Sequence, residues 1–128
     1  MTGQPKILIV EDETSVAMMM VFLLTRAGCD VQSAWNAEKA MQVAETGDFD
    51  LITLDISLPG AGGFEICKRL RQFPHLKHTP VIFVSGCAST INRQRAFELG
   101  AADFIEKPFS GSDFISRILS LLEETASA

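Results

Sequence analysis

Ile7-Leu8-Ile9-Val10-Glu11-Asp12 is the stretch that decides the fold: four consecutive apolar residues run straight into two carboxylates. A strand that is apolar at every position must be covered on both faces, as a central strand of a parallel sheet is. Two more runs repeat the pattern, Leu51-Ile52-Thr53-Leu54 before Asp55 and Val81-Ile82-Phe83-Val84 before Ser85. Asp30 to Ala34 and Ala102 to Ile105 are shorter or more polar and suit strands nearer an edge. Five strands are predicted.

Helical periodicity fills the gaps between them. Val16, Met19, Met20, Leu23 and Leu24 form one stripe, and Ala37, Ala40, Met41 and Ala44 another. Ile66, Leu70 and Phe73 mark the third helix, and Phe114, Ile118, Leu121 and Leu122 the last. At helical spacing the methionines at 18 to 20 read as core filling rather than a soft metal site. Asn36 and Thr90 are the predicted N-caps, and Gly28, Gly47 and Gly100 the predicted left-handed helix stops. Strands alternating with helices imply parallel pairing through right-handed crossovers, hence an open, doubly wound α/β domain. The tail Thr125 to Ala128 is expected to be disordered.

Composition narrows the function. The 128 residues, 47% hydrophobic, are enough for one domain with a real core. Sixteen acidic against eleven basic residues give a net charge of -5, which argues against direct nucleic-acid binding, since that depends on clustered cations. No segment reads as a signal peptide or membrane span, so a cytoplasmic location is expected. Cys29, Cys67 and Cys87 lack disulfide or zinc spacing and read as reduced thiols.

In open α/β sheets, ligands bind beyond the carboxyl ends of the strands. Glu11 and Asp12 follow the first strand, Asp55 the third, Ser85 the fourth and Lys107 the fifth. Three clustered carboxylates demand a cation, and oxygen-only ligands suit Mg²⁺. Lys107 and Ser85 supply the charge and the hydroxyl donor that hold the oxygens of a transferred phosphoryl group. The constellation reads as phosphoryl transfer to a carboxylate. Glu13 and Asp50 read as ordinary solvated charges.

On these segments, together with Leu58-Pro59, Ser85-Gly86 and Gly100-Ala101-Ala102-Asp103-Phe104-Ile105-Glu106-Lys107-Pro108-Phe109, the whole chain resembles the receiver domain of two-component response regulators. The resemblance implies a single receiver domain over residues 1–128, flavodoxin-like, with strand order 2-1-3-4-5 and five helices. It implies that Asp55 accepts a phosphoryl group from a sensor histidine kinase or histidine phosphotransfer protein. Mg²⁺ would be held by Asp12, Asp55 and the Ser57 carbonyl, with Glu11 acting through a bound water. Lys107 would pair with the phosphoryl oxygens, and its bond to Pro108 would be cis. Ser85 and Phe104 would form the switch, Phe104 turning inward as Ser85 moves. The surface of the fourth helix, fifth strand and fifth helix would then address a downstream partner or output domain. Such a protein catalyses only its own phosphorylation and dephosphorylation.

Departures from the usual pattern are the glycine-rich Gly60-Ala61-Gly62-Gly63, expected to loosen the entry to the third helix, and Cys87, at a position that influences access to the phosphoaspartate. A Mg²⁺-dependent phosphatase with an aspartyl nucleophile is the main rival. Such an enzyme needs a second carboxylate two residues on, where this chain has Ser57. A flavin module would not place Glu11 and Asp12 in its phosphate loop, and a degenerate, purely binding receiver would not keep all five site residues. No output domain is encoded after Lys107, which suits a stand-alone receiver or one separated from its output domain.

Overall fold

Burial follows the apolar runs. Every residue of β3 (Leu51–Leu54) and β4 (Val81–Ser85) is buried, as are Ile7 to Val10 of β1 (Lys6–Val10). Such strands can only lie inside a sheet covered twice. The computed structural model, which describes residues 3–127, shows that sheet. β2 (Asp30–Ala34) and β5 (Asp103–Glu106) form its edges, all neighbours are parallel, and the order is β2-β1-β3-β4-β5. The flavodoxin-like topology expected from the sequence is the one observed.

Side chains alternate along each strand, so each face has its own core. Leu8, Val10, Ile52, Leu54, Phe83 and Phe104 meet α2 (Ala37–Thr46), α3 (Gly63–Leu70) and α4 (Thr90–Glu98) through Ala40, Ala44, Ile66, Leu70 and Ala96. Ile7, Ile9, Leu51, Ile82, Val84 and Ile105 meet α1 (Thr14–Arg26) and α5 (Gly111–Ser127) through Met20, Leu24, Phe114 and Ile118. Each fully buried aliphatic side chain contributes roughly 1.5–3 kcal/mol of transfer free energy. Because the strands are short, these two layers hold the strand ends, and thus the polar residues beyond them, in fixed register.

Several local expectations change. Within the methionine run only Met20 enters the core; Met18 is 67% exposed and Met19 40%, because the first helix buries just the edge that meets the sheet. The third helix ends at Leu70, and Phe73 lies beyond it, leading into a 3-10 turn at Pro74–Leu76. Asn36 caps α2 as predicted, accepting from the Lys39 amide at 2.8 Å, but the cap of α4 is Ser89, one residue before Thr90, accepting from Asn92 at 3.1 Å. Gly28 and Gly100 are left-handed (φ 94° and 89°), whereas Gly47 has φ -79°. Space explains Gly47: a Cβ there would collide with the Phe49 ring and lie 2.9 Å from the Val43 carbonyl. The tail expected to be disordered continues α5 through Ser127, with Thr125 Oγ1 donating to the Leu121 carbonyl at 2.9 Å; Ala128 lies outside the described residues.

Candidate functional site

Glu11 continues β1 by one residue, and its amide donates to Ala34 O at 3.0 Å, so its side chain is delivered buried to the carboxyl edge. Asp55 arrives in the same way: its amide donates to Val10 O (3.3 Å) and the residue is 5% exposed. Asp12 lies beside them and is exposed. One ligand oxygen from each of Glu11, Asp12 and Asp55 lies within 4.8 Å of the others, so the three converge as the sequence predicts.

Lys107 follows β5 directly, its amide tied to Ser85 O at 3.0 Å and its bond to Pro108 cis. The ammonium contacts Asp55 Oδ2 and Glu11 Oε1, both at 2.8 Å, and Glu13 Oε1 at 3.1 Å. The ammonium donates hydrogen bonds to Asp55 and Glu13 and is ion-paired with Glu11. Burial works against the Lys107 charge, but the hydrogen bonds to Asp55 and Glu11 outweigh it and raise its pKa. Burial also lifts the Glu11 carboxyl above its usual value, opposed by Lys107 and by the Glu13 amide, which donates to Glu11 Oε2 at 3.1 Å.

The remaining lining comes from two loops. The Ser57 amide donates to Asp55 Oδ1 at 3.1 Å, so both oxygens of that carboxylate are held. Ser57 Oγ and Cys87 Sγ are 3.0 Å apart across the rim. Ser85, the last residue of β4, is fully buried and accepts from the Cys87 amide at 3.1 Å. The open cleft thus formed, about 810 Å³, is lined by Asp12, Glu13, Asp55, Ser57, Ser85, Cys87 and Lys107 among others.

Three expectations from the sequence change here. Glu13 is no ordinary solvated charge: it pairs with Lys107, a contact between residues 94 positions apart that no local pattern signals. Asp50 is not free either, since it accepts from the Lys6 amide at 2.8 Å and closes the start of β1 onto β3. The glycine-rich loop is closed rather than loose. Gly63 donates to Ile56 O at 2.9 Å and sits so tightly beneath Asp55 that a Cβ would strike its carbonyl oxygen and come within 2.8 Å of its carbonyl carbon. Gly63 therefore helps to place the acidic loop, and only the glycine pair itself hinted at it.

Phe104 lies one strand away from Phe83, rings 6.4 Å apart, and is 2% exposed. Arg93 covers the ring at 4.8 Å and pairs with Glu106 at 2.9 Å. The Phe104 ring is thus held inward, between the sheet and Arg93.

This geometry matches a known family. Residues 7–119 fit the model of the response regulator receiver domain. The chain belongs to that family. Receiver domains accept phosphoryl groups in two-component signalling, and that role, rather than phosphatase activity, is the one supported. The chain is 37% identical over 120 residues to the alkaline phosphatase synthesis transcriptional regulatory protein PhoP of Bacillus subtilis, covering 94% of this chain and 49% of that one. It is 33% identical over 125 residues to the transcriptional regulatory protein ResD of the same organism (98% and 51%). This receiver domain therefore spans about half the length of those relatives. Among solved structures, a CheY-like receiver domain from Methanospirillum hungatei superposes with TM-score 0.91 at 28% identity, covering 98% of both chains. The non-phosphorylated HemR receiver domain of Leptospira biflexa gives 0.87 at 32%, covering 93% of this chain and 94% of that one. No described helix is long and apolar enough to cross a membrane.

Proposed function

We propose that Asp55 is the phosphoryl acceptor. A carboxylate oxygen of Asp55 attacks the phosphorus of a phosphohistidine, the bond from phosphorus to the ring nitrogen breaks, and the histidine leaves with that electron pair. The observation that carries this reading is the Asp55 carboxylate, 5% exposed, at a strand end between the Lys107 ammonium and the Ser57 amide. A nucleophile held by fixed donors needs little reorganisation. Lys107 then follows the new charge onto the phosphoryl oxygens, and the Ser85 hydroxyl, whose oxygen already accepts from Cys87, keeps its proton to donate to the same group.

The residues present fit a divalent cation, because three carboxylate oxygens lie within 4.8 Å of one another and, among the described residues, no sulfur or imidazole joins them. Asp12, Asp55 and the Ser57 carbonyl would hold Mg²⁺, with Glu11 reaching it through water. Bound there, Mg²⁺ supplies charge neutralisation for an anionic donor beside an anionic acceptor.

The donor is a sensor histidine kinase or a histidine phosphotransfer protein, so the domain works in the cytoplasm and turns over no external substrate. The response is carried by Ser85 and Phe104 to the surface of α4, β5 and α5, where a downstream protein or an output domain reads it. Incubation with Mg²⁺ and acetyl phosphate should add one phosphoryl mass to the wild-type protein and none to Asp55→Asn. Equal uptake by the variant would remove Asp55 from this role.

A further inference from the structure

Glu13 is the N-cap residue of α1, yet its side chain makes no capping bond. A side-chain oxygen at that position ordinarily satisfies a free helix amide. Here the carboxylate, 60% exposed, turns to Lys107 at 3.1 Å. The contact completes a set of three anionic partners on one ammonium and places a negative charge on the lining of the cleft that leads to Asp55.

We propose that Glu13 is a specificity-determining residue that disfavours small anionic phosphodonors. The inference rests on the reading of Asp55 as acceptor. A donor's phosphoryl oxygens need the Lys107 ammonium, which already donates to Asp55 and Glu13 and pairs with Glu11. Glu11 is buried, so releasing it would leave an uncompensated carboxylate away from water. Asp55 is the acceptor itself. Glu13 is the partner that water can solvate most readily, so the exchange takes place there. Donor anion and Glu13 carboxylate therefore compete for the same ammonium, and the carboxylate also repels the anion as it enters. A protein donor can answer that charge with cations of its own; a free acyl phosphate cannot.

The test is phosphorylation kinetics of wild type, Glu13→Gln and Glu13→Lys with Mg²⁺ and two donors, acetyl phosphate, a dianion at neutral pH, and phosphoramidate, which carries less net charge. Glu13→Gln should lower the half-saturating acetyl phosphate concentration by about three- to tenfold, as expected for one screened charge removed a few ångströms from a dianion. Glu13→Lys should lower it further, and phosphoramidate should respond less. Added NaCl should speed the wild type relative to Glu13→Gln, because salt screens a repulsion the variant lacks. A role confined to helix stability would move neither the donor preference nor the salt dependence. Unchanged half-saturation for both donors in a wild type that phosphorylates normally overturns the proposal while leaving Asp55 in place. If wild type takes up no phosphoryl group from either donor, the acceptor reading fails first. The Glu13 link to Lys107 is then decided by melting temperatures of Glu13→Gln, Lys107→Met and the double variant in EDTA: less-than-additive losses support the link, and strictly additive losses overturn it.

Discussion

Replacing Lys107 by Met removes the cation from among Glu11, Asp55 and Glu13 while keeping a long apolar side chain. Glu11 and Asp55 are buried, and removing one member of a buried ion pair typically costs about 3–5 kcal/mol. Protonation limits the damage. A stranded carboxyl with an unfolded-state pKa near 4.3 can be neutralised at pH 7 for about 3.7 kcal/mol, at roughly 1.36 kcal/mol per pH unit, and at pH 6 for about 2.3 kcal/mol. With an unfolding entropy of about 2.1 cal/mol/K per residue over 128 residues, the pH 7 loss lowers Tm by about 14 °C. The sign follows from linkage. Burial already raises the Glu11 pKa, and loss of Lys107 raises it further, so the folded variant binds more protons than the unfolded chain. Its deficit is therefore largest above the raised folded-state value, shrinks as pH falls below it, and is lost only near the unfolded-state value. Thermal unfolding of both proteins in EDTA at pH 6, 7 and 8 measures this, and saturating Mg²⁺ should narrow the gap. A variant as stable as wild type at pH 7, with no pH dependence of the difference, would refute the reasoning.

Gly63→Ala should cost about 1–3 kcal/mol by overpacking against the Asp55 carbonyl, and should slow phosphorylation because that backbone positions the acceptor; denaturant unfolding together with acetyl phosphate uptake reports both. Of the three cysteines, only Cys87 should react with iodoacetamide in the native protein, since it is exposed while burial raises the thiol pKa of Cys29 and Cys67. The adduct on Cys87, beside Ser57 over the cleft, should slow phosphorylation; modification of all three at equal rates would contradict the burial.

How far the sequence reaches depends on what holds each residue in place. Ile7 to Val10 are unbroken apolar residues because both faces are covered, so the strand is visible without its neighbours, and the polar residues beyond it inherit a predictable place at the sheet edge. Glu11, Asp55, Ser85 and Lys107 are legible for that reason: the backbone bonds Glu11 to Ala34, Asp55 to Val10 and Lys107 to Ser85 extend the ladder one residue past each strand. Once the chain leaves the ladder, this inheritance stops. Glu13 is two residues beyond Glu11 and its partner comes from the far edge of the sheet, so composition shows a charge and nothing shows its contact. Gly63 fails for the opposite reason. Its importance is the absence of a Cβ where the helix passes under Asp55, and an absent atom leaves no pattern beyond the glycine itself. The exposed methionines mark a third boundary, since a period of 3.6 identifies an apolar stripe but not how much of it the sheet is wide enough to cover. Glu11, Asp55 and Lys107 are thus fixed by ladder geometry, while Glu13 sits beyond it. Glu13, exposed and held among the described residues through Lys107, is where a substitution beside the cleft costs the fold least.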